Sequence, residues 1–451
     1  MAIAILIVFI VGYFFITIEH AVKVDKAATA LITGVLCWTL YFISGGSTDV
    51  HHGQQIHDLA AHADVYSQLD GRLMHHVQEI AGILLFLMGA MTIVELIDAH
   101  EGFKVITDRI HSRNKVKLLW IISLIAFFLS AALDNLTTAI VMVSLSRKLI
   151  ADQKTRWFFG GMIIIAANAG GAWSPIGDVT TTMLWIGKQI TAMPVITGVF
   201  LSSFVSLILP LVLLSFVLKG EVERPSLASN DHDSASQFEK NAVFIIGVGG
   251  LLFVPIFKSV THLPPFMGMM FSLGIIWIAT ELIHSKKIME EKSRFSALQA
   301  LRKIDMPSVL FFLGILLAVG ALGEVGHLTH LSEWLKSSLG NIYAINIAIG
   351  LLSAIIDNVP LVAASMGMYE VTPALTGDSW LDLFVQDGAF WHFLAYTAGT
   401  GGSILIIGSA AGVAVMGIEK ITFTWYLKNV APWALIGYLA GCGVYLLESM
   451  I

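Results

Sequence analysis

Charge is scarce in this sequence. Only 13% of the 451 residues are Asp, Glu, Lys or Arg, whereas a soluble domain carries about 25%. Hydrophobic residues make up 56% of the chain, and the mean hydropathy is +0.79. Runs near 20 apolar residues match the hydrocarbon thickness of a bilayer. The composition therefore predicts an all-α polytopic membrane protein, whose surroundings are the lipid bilayer and which has no nucleic acid as a partner.

Cysteine is nearly absent. The two cysteines, Cys37 and Cys442, lie inside apolar segments near opposite ends of the chain. A disulfide framework or a zinc site is therefore not expected, and no cofactor is predicted. The first residues, MAIAILIVFIVGYFFITIEH, lack the basic region and the small-residue cleavage site of a secretory signal. They are interpreted as a first membrane span.

Long apolar runs predict ten crossings, and two further segments have polar centres. The two polar-centred segments, 118–146 and 341–369, could each be one crossing or a re-entrant hairpin, which returns to the side it entered from. The ten simple runs lie near residues 2–18, 27–44, 80–97, 157–187, 195–218, 242–257, 266–284, 308–322, 389–418 and 425–447.

Basic residues decide between these alternatives, because Lys and Arg collect on the cytoplasmic side of membrane proteins. If both segments crossed, the basic residues would divide about evenly between the two sides. If both are hairpins, 118–146 enters from the cytoplasm, 341–369 enters from outside, and both termini lie outside. The external basic residues are then only Arg72, Lys188, Lys258 and Lys336. The charge distribution therefore favours two hairpins.

Each half of the chain then contains five crossings and one hairpin. Because five is odd, the second half is predicted to be inserted upside down relative to the first, as in secondary transporters built from inverted repeats. The predicted halves are 1–218 and 242–451, joined by a polar cytoplasmic linker at 219–241. The runs 157–187 and 389–418 are predicted to be broken helices, one in each half.

Two motifs support this repeat at the level of residues. The sequence SAALDN at 130–135 returns as SAIIDN at 353–358, an offset of 223. A pair of glycines followed by a third, at 170–177, returns at 401–408, an offset of 231. Two motifs in matching order indicate an internal repeat.

Carboxylates stand inside these apolar segments. An aspartate at the bilayer centre costs roughly 2.5–3.5 kcal/mol, so Asp134 and Asp357 need a structural or functional reason. Backbone that leaves a helix at that depth must face protein or a watery cavity, and hairpin tips that meet near the midplane satisfy both demands. The predicted ion ligands at the tips and breaks are Asp134, Asn135, Thr137, Thr138, Asn168, Ser174, Asp178, Asp357, Asn358, Ser403 and Ser409.

The predicted site is rich in hard oxygen ligands, and its motifs hold neither Lys nor Arg. A cation that prefers oxygen ligands fits this set better than an anion does. Transition metals prefer Cys or His as ligands, and these motifs contain neither. The serines and threonines could equally be interhelical hydrogen-bonding groups, and the glycines could serve close helix packing. Supporting candidates are Ser130, Ser353, Thr180, Thr181, Thr400 and Glu95.

Histidines precede the third predicted span. His75, His76 and Glu79 enter this span from outside and are candidates for pH sensing, because histidine titrates near neutral pH. The loop before them is interpreted as solvated, although it also holds His51, His52, His57 and His62. The segments 98–116 and 323–339, which precede the hairpins, look amphipathic and are expected to lie along the membrane surface.

Five stretches of the sequence resemble the NhaD family of sodium/proton antiporters, which belongs to a superfamily with arsenite and carboxylate carriers. The resemblance covers about residue 80 to the C-terminus. It implies exchange of Na⁺ and Li⁺ for H⁺, most active at alkaline pH, in a bacterial-type inner membrane. It also implies a homodimer whose transport unit moves against a scaffold. The stretches are MGAMTIVELIDAHEGF, SAALDNLTTAIVM, NAGGAWSPIGDVTTTMLW, SAIIDNVPLVAASMGMY and GTGGSILIIGSAAGVAVMG.

One departure bears on the substrate. Carboxylate carriers of the superfamily have a neutral Ser-Asn-Thr type tip, where this sequence has Leu-Asp-Asn and Ile-Asp-Asn. This argues against an anionic substrate. The predicted mechanism is competition between Na⁺ and H⁺ for Asp134 and Asp357, with Asp178 and the amides completing the shell.

Three alternatives stay open. A carrier of carboxylate or arsenite with the same fold is the nearest. A passive channel would move ions without coupling them. An intramembrane aspartyl protease also uses two membrane carboxylates, but it needs one on each of two neighbouring helices and no inverted repeat. A transporter, not an enzyme, is therefore the preferred interpretation.

Overall fold

The computed structural model describes residues 1–17, 23–45, 59–107, 110, 112–225, 235–285 and 295–450. Within these ranges the chain forms 20 α-helices and one short 3-10 helix, and it has no β-strand longer than an isolated bridge. The predicted all-α class is confirmed. The histidines at 51, 52 and 57 and the side chain of His62 lie outside the described part of the chain.

The helices before the predicted linker include both arms of the first hairpin and both parts of the first broken helix. They are α1 (Ala2–Thr17), α2 (Lys26–Ile43), α3 (Leu59–Ala99), α4 (Lys104–Thr107), α5 (Lys115–Ser130), α6 (Asn135–Leu149), α7 (Gln153–Ala172), α8 (Val179–Ile186) and α9 (Ala192–Val217).

The helices after the linker include those on both sides of the second SAxxDN motif and of the second break, with a 3-10 helix at Leu381–Phe384. They are α10 (Gln237–Thr261), α11 (Pro265–Ile283), α12 (Ala297–Lys303), α13 (Met306–Glu324), α14 (His327–Leu339), α15 (Ile342–Ser353), α16 (Asn358–Met368), α17 (Ala389–Gly401), α18 (Ala410–Glu419), α19 (Phe423–Asn429) and α20 (Ala431–Glu448).

Seven of the described helices are long and apolar enough to cross a bilayer, or eight if α14 and α15 count as one. The seven are α2, α3, α9, α10, α11, α13 and α20. The three other predicted crossings are shorter or interrupted, since α1 is a short helix and the two broken runs are divided into α7–α8 and α17–α18. A multi-pass membrane protein follows from these helices.

The helices are interrupted at both predicted hairpin tips and at both predicted breaks. Four residues separate α5 from α6 at the first SAxxDN motif, and four separate α15 from α16 at the second. The glycine-rich stretches likewise interrupt the runs between α7 and α8 and between α17 and α18. One boundary differs from the prediction: α3 begins at Leu59, well before the run at 80–97. The preceding residues are polar but contain no proline, so they extend the helix without being apolar enough to span.

The chain divides into two compact units, and each takes residues from both halves of the sequence. The smaller unit comprises Met1–Leu85, Asp305–Ile342 and Val359–Glu370. The larger unit comprises Phe86–Ile304, Tyr343–Asn358 and Val371–Ile451.

In the smaller unit, α2 packs against α13 and α1. The α2–α13 crossing is close because both helices have glycine there; a Cβ added at Gly34 would lie 2.6 Å from the Gly314 carbonyl oxygen. The Trp38 indole N–H donates a hydrogen bond to the Leu317 carbonyl at 2.9 Å. At the end of α13, Glu324 accepts a hydrogen bond from Arg72 that ties this helix to α3.

In the larger unit, both arms of the first hairpin pack against α7, and α9 packs against α20. The two repeats make equivalent contacts here. The Ser130 hydroxyl donates to the Ala167 carbonyl at 2.6 Å, and the Ser353 hydroxyl donates to the Ala398 carbonyl at 2.8 Å. The first arm of each hairpin is therefore fixed in the same way to the broken helix of its own repeat.

The repeated glycines allow this contact. A Cβ at Gly170 would overlap the carbonyl oxygen of Phe127, and a Cβ at Gly401 would overlap that of Gly350. Phe127 and Gly350 are themselves related by the offset of the hairpin motifs. The glycines are thus required for close approach of backbone to backbone, which explains why both copies of the motif carry them.

We expect Gly170→Ala and Gly401→Ala each to destabilise the protein by about 1–3 kcal/mol, because the added methyl group forces two backbones apart. The measurement is the unfolding temperature of detergent-purified protein. Gly249→Ala and Gly274→Ala are matched controls, since these helical glycines have nothing within 4 Å of an added Cβ. The controls should be neutral or stabilising, as Ala is favoured over Gly in a helix by roughly 0.5–1 kcal/mol. Equal effects in both sets would contradict the close-approach argument.

Candidate functional site

Four helices begin at the two hairpin tips and the two breaks: α6, α8, α16 and α18. The residues immediately before them are Asp134, Asp178, Asp357 and Ser409. The first turn of a helix has unpaired N–H groups and a partial positive charge, which favours a negative group there. Three of these four positions hold a built-in carboxylate.

Two of these carboxylates cap their own helices. Asp134 accepts hydrogen bonds from the backbone N–H and the hydroxyl of Thr137, at 2.7 and 2.8 Å. Asp178 accepts from the backbone N–H and the hydroxyl of Thr180, both at 2.9 Å. In each case a threonine in the first turn orients the carboxylate. Thr137 and Thr180, both predicted from the sequence, therefore hold carboxylates at the helix ends.

Both hairpin motifs make a hydrogen bond to the side chain of Asp178. The Asn135 side-chain amide donates to Asp178 Oδ2 at 2.7 Å, and the Asn358 amide donates to the same oxygen at 3.4 Å. Asn135 and Asn358 are the last residues of the two SAxxDN motifs and occupy equivalent positions in the two repeats. Both predicted tips therefore reach one carboxylate, which is 1% exposed.

The side chain of Asn168 connects these hydrogen bonds to the second break. Its Oδ1 accepts from the Asn135 amide at 3.0 Å, and its Nδ2 donates to the hydroxyls of Ser403 and Ser409 at 3.0 and 2.9 Å. A continuous chain of buried hydrogen bonds thus joins both hairpin tips and both breaks. Its members are Asn135, Asn168, Asp178, Asn358, Ser403 and Ser409.

Asp134 and Asp357 flank this network and are half-buried. Both lie close enough to Asp178 to act on it electrostatically. Thr138, one turn into α6, is fully buried, and its hydroxyl oxygen has no hydrogen-bond partner among the described residues. The region therefore holds three carboxylates and at least one buried oxygen that is not committed to another group.

The other predicted hydroxyls bond to backbone. Ser174 donates to the Ala131 carbonyl at 2.6 Å, which ties the first break to the first tip. Thr181 donates to the Asp178 carbonyl, and Thr400 to the Tyr396 carbonyl, at 2.9 and 2.6 Å. Together with Ser130 and Ser353, they position the tips and breaks, and a hydroxyl that donates to backbone keeps lone pairs for other contacts.

Glu95 and the histidine candidates have other partners within the described residues. Glu95 pairs with Lys303 at 3.0 Å. His76 Nε2 lies 3.1 Å from Glu324, which also pairs with Arg72 at 2.9 Å. His75 and Glu79 are 3.6 Å apart on an exposed surface. Their role in pH sensing stays a prediction, which in the structure applies best to His76 because it is the half-buried member.

One contact was missed in the sequence. The hydroxyl of Tyr426, fully buried in α19, donates to the Ser403 carbonyl at 2.7 Å and so supports the second break. Tyr426 lies outside both motifs, in a stretch whose apolar pattern predicts only a span. The only available signal was a tyrosine inside an apolar run, since a buried phenol usually needs a hydrogen-bond partner.

Comparisons with known proteins agree with this architecture. Residues 4–385 match the family model described as CitMHS, citrate transporter. Two plant relatives, sodium/proton antiporters 1 and 2 of Arabidopsis thaliana, are 45% and 43% identical to the chain. The first match covers 98% of this chain and 72% of the relative, and the second covers 98% of both.

A bacterial relative and a solved structure extend the comparison. The Na⁺/H⁺ antiporter NhaD of Alkalimonas amylolytica is 29% identical over 97% of this chain and 89% of its own. The YdaH transporter of Alcanivorax borkumensis has a similar fold, with a TM-score of 0.59 over 94% of this chain and 98% of its own, at 12% identity. The sequence similarity therefore includes the N-terminal part of the chain, which the motifs alone did not cover.

We expect Asn168→Ala to destabilise the protein by about 1–3 kcal/mol, because it leaves the Asn135 amide and two serine hydroxyls short of a buried partner. In a double-mutant cycle with Ser409→Ala, the coupling energy should be about 0.5–3 kcal/mol. The measurement is the unfolding temperature of each purified variant. Ser146→Ala is the control, since that hydroxyl bonds only to its own helix, at Met142. Additive effects of the two substitutions would rule out the direct contact.

Proposed function

Because the chain belongs to the CitMHS transporter family, together with the NhaD-type sodium/proton antiporters, we propose that it exchanges Na⁺ for H⁺ across a membrane. The matching relatives are antiporters and transporters, so the chain is a transporter and not an enzyme. Li⁺ is proposed as a second transported cation, since it is also a hard monovalent ion.

One observation carries the proposal: amides from both hairpin motifs donate to one carboxylate oxygen of Asp178. A neutral amide can offer N–H to an ionised carboxylate or its carbonyl oxygen to a cation, by rotation of the side chain. Asn135 and Asn358 can therefore compensate Asp178 when no ion is bound and turn their oxygens toward a bound Na⁺.

Competition between Na⁺ and H⁺ follows from the charge of the site. Like charges close together in a buried site oppose one another's ionisation. Asp134, Asp178 and Asp357 therefore need neutralisation, which either protons or a cation can supply. Binding of Na⁺ at the expense of protons on one side, and the reverse on the other, gives coupled exchange.

The arrangement fits a monovalent cation better than a divalent one. Within the described residues, no three His, Cys, Asp or Glu side chains are close enough together to hold one metal ion. A divalent ion such as Ca²⁺ takes six to eight oxygen ligands, often several of them carboxylates. Na⁺ would instead use one or two carboxylates with neutral oxygens, for which Thr138 and the amides of Asn135 and Asn358 are the candidates.

A carrier of citrate or a similar anion is the second candidate, because the matching family model is named for citrate. The site opposes it. The helix N-termini that would attract an anion are capped by Asp134 and Asp178, with Asp357 at a third, and no Lys or Arg stands in the motifs. Counterflow of labelled citrate or arsenite into proteoliposomes would distinguish this carrier, and we expect none above the protein-free background.

Contacts between the repeats support an inverted arrangement. In the larger unit, α18 packs against α7 of the first repeat, and α8 packs against α17 of the second. At the end of α18, Glu419 pairs with Arg156 at 2.9 Å. At the offset of the glycine motifs, their counterparts are Lys188 and Asp387, and there the Lys188 carbonyl accepts from the Gln386 amide at 2.8 Å. Each contact thus joins the end of one half-helix to residues at or just before the start of the other repeat's broken helix, which a two-fold axis between the repeats would produce.

The membrane sidedness is proposed on the same basis. With the axis in the membrane plane, the first hairpin enters from the cytoplasm and the second from outside. The linker supports this, because the Val222 N–H donates to the Arg113 carbonyl at 2.7 Å, placing the linker's start beside the entrance of α5. From the family resemblance we further propose a homodimer in a bacterial-type inner membrane, with both termini outside.

We expect Asp134→Asn, Asp178→Asn and Asp357→Asn each to lower sodium-dependent proton flux in everted vesicles at least about 30-fold. Removing one member of a buried charge pair costs about 2–5 kcal/mol, and about 1.4 kcal/mol is tenfold in affinity. Asp382→Asn is the control, since Asp382 lies outside the motifs, in the 3-10 helix, and accepts its hydrogen bonds from the nearby residues Thr376 and Gly377. Full exchange by the Asp178→Asn variant would refute the central role of this carboxylate.

We expect residues 150–155 and 372–380 to be labelled from opposite sides of the membrane. Single cysteines at Lys154 and Leu375, both exposed, would be introduced after replacing Cys37 and Cys442 by serine. A membrane-impermeant thiol reagent should modify one in sealed right-side-out vesicles and the other in everted vesicles. Modification of both cysteines from the same side would refute the proposed inverted repeat. It would not contradict the proposed cation exchange.

A further inference from the structure

A groove of about 810 Å³ lies in the larger unit beside the ion site. Its walls come from α5, from the start of α9 and from the second half of α10. Its floor includes Ala131 and Ala132 of the first hairpin tip and residues 173–176 of the first break. The floor is mostly buried, whereas Leu252, Ile256 and Met193 on the walls are more than half exposed.

The lining of this groove offers almost nothing to a polar ligand. Its two hydroxyls are already used, since Ser174 donates to the Ala131 carbonyl at 2.6 Å and Ser259 donates to the Pro255 carbonyl at 2.9 Å. The indole N–H of Trp173 is buried and has no hydrogen-bond partner among the described residues, so it is a single uncommitted donor in an otherwise apolar lining. The remaining lining is aliphatic or aromatic. A cavity of this chemistry does not hold ordered water, which needs polar partners.

The groove has the length of an acyl chain. Along α10 it extends from Val248 to Val260, which is about 18 Å at 1.5 Å per residue. One leaflet of the hydrocarbon core is about 15 Å thick. Because α10 is long and apolar enough to cross a bilayer, most of the groove would face hydrocarbon, and an apolar groove open to hydrocarbon gains packing contacts when a chain fills it.

We propose that this groove binds one acyl chain of a membrane phospholipid, held lengthwise between α5 and α10 and packed on the hairpin tip. The lining of the groove is close in sequence to the carboxylates of the proposed ion site. Ala131 lies on the floor three residues before Asp134, and Ser174 lies four residues before Asp178. Backbone that is not helical at membrane depth must be covered by protein or face a watery cavity. The bound chain covers the far side of the tip and excludes water from it.

The experiment uses purified full-length protein in liposomes that contain a small fraction of phosphatidylcholine with a diazirine midway along one chain. After irradiation, labelled peptides are mapped by mass spectrometry. We expect several-fold more label per residue at 124–132, 173–176 and 248–260 than on the exposed face of α11, which includes Ile275, Ile278 and Leu282. This comparison within the wild-type protein needs no variant.

Filling the groove tests whether the label reports binding. Leu252→Trp and Ile256→Trp should lower the labelling of 124–132 and 173–176 several-fold. Ile245→Trp is the matched control, because Ile245 is 68% exposed on the same helix and does not line the groove. Each variant is first checked for its elution volume by size exclusion, which keeps misfolding separate from loss of label.

Three outcomes would overturn the proposal. Label spread evenly over all apolar faces would show ordinary contact with bulk lipid. Undiminished label in both tryptophan variants would place the chain elsewhere. Efficient disulfide crosslinking between two copies that carry Ile256→Cys would show that another copy of the protein covers the groove. None of these results tests sodium/proton exchange, so refuting the lipid site would leave the proposed exchange unaffected.

Discussion

The carboxylate of Asp178 is the contact on which the site depends. It caps α8 through Thr180 and accepts amide hydrogen bonds from Asn135 and Asn358, which come from the two distant copies of the hairpin motif. A buried acceptor of this kind is costly unless its partners are in place. The position of Asp178 therefore constrains both hairpin tips, and through Asn135 and Asn168 it constrains the second break as well.

The repeats are equivalent in backbone and different in chemistry. Matching serines and glycines fix each hairpin to its own broken helix in the same way. At the breaks, however, the first repeat has Asp178 where the second has Ser409. Asp178 is therefore the one carboxylate that both tips contact, whereas Asp134 and Asp357 each belong to one tip.

The carboxylates at the helix ends also bear on the choice between a cation and an anion as substrate. Helix N-termini attract anions in general, and four of them begin at the tips and breaks. Here three of the four are preceded by aspartate, so the positive ends of the helices act on the protein's own carboxylates. The proposed exchange assigns the neutralisation of these carboxylates to a cation or to protons. The matching family model is described as a citrate transporter, and these aspartates are the feature of this chain on which the proposal of a cation substrate rests.

The sequence by itself determined the membrane class, the two motifs, their offsets and the candidate oxygen groups near them, because apolar runs, glycine pairs and intramembrane aspartates are local and costly to place without reason. It did not determine which carboxylate is central. Asp134 and Asp357 share the more visible motif, yet the amides of both motifs contact Asp178. The sequence also did not predict the hydrogen bond from Tyr426 to the second break or the groove beside Ala131. Only the tertiary structure decided these points, because they depend on which distant backbones approach one another, and a linear pattern does not encode that distance.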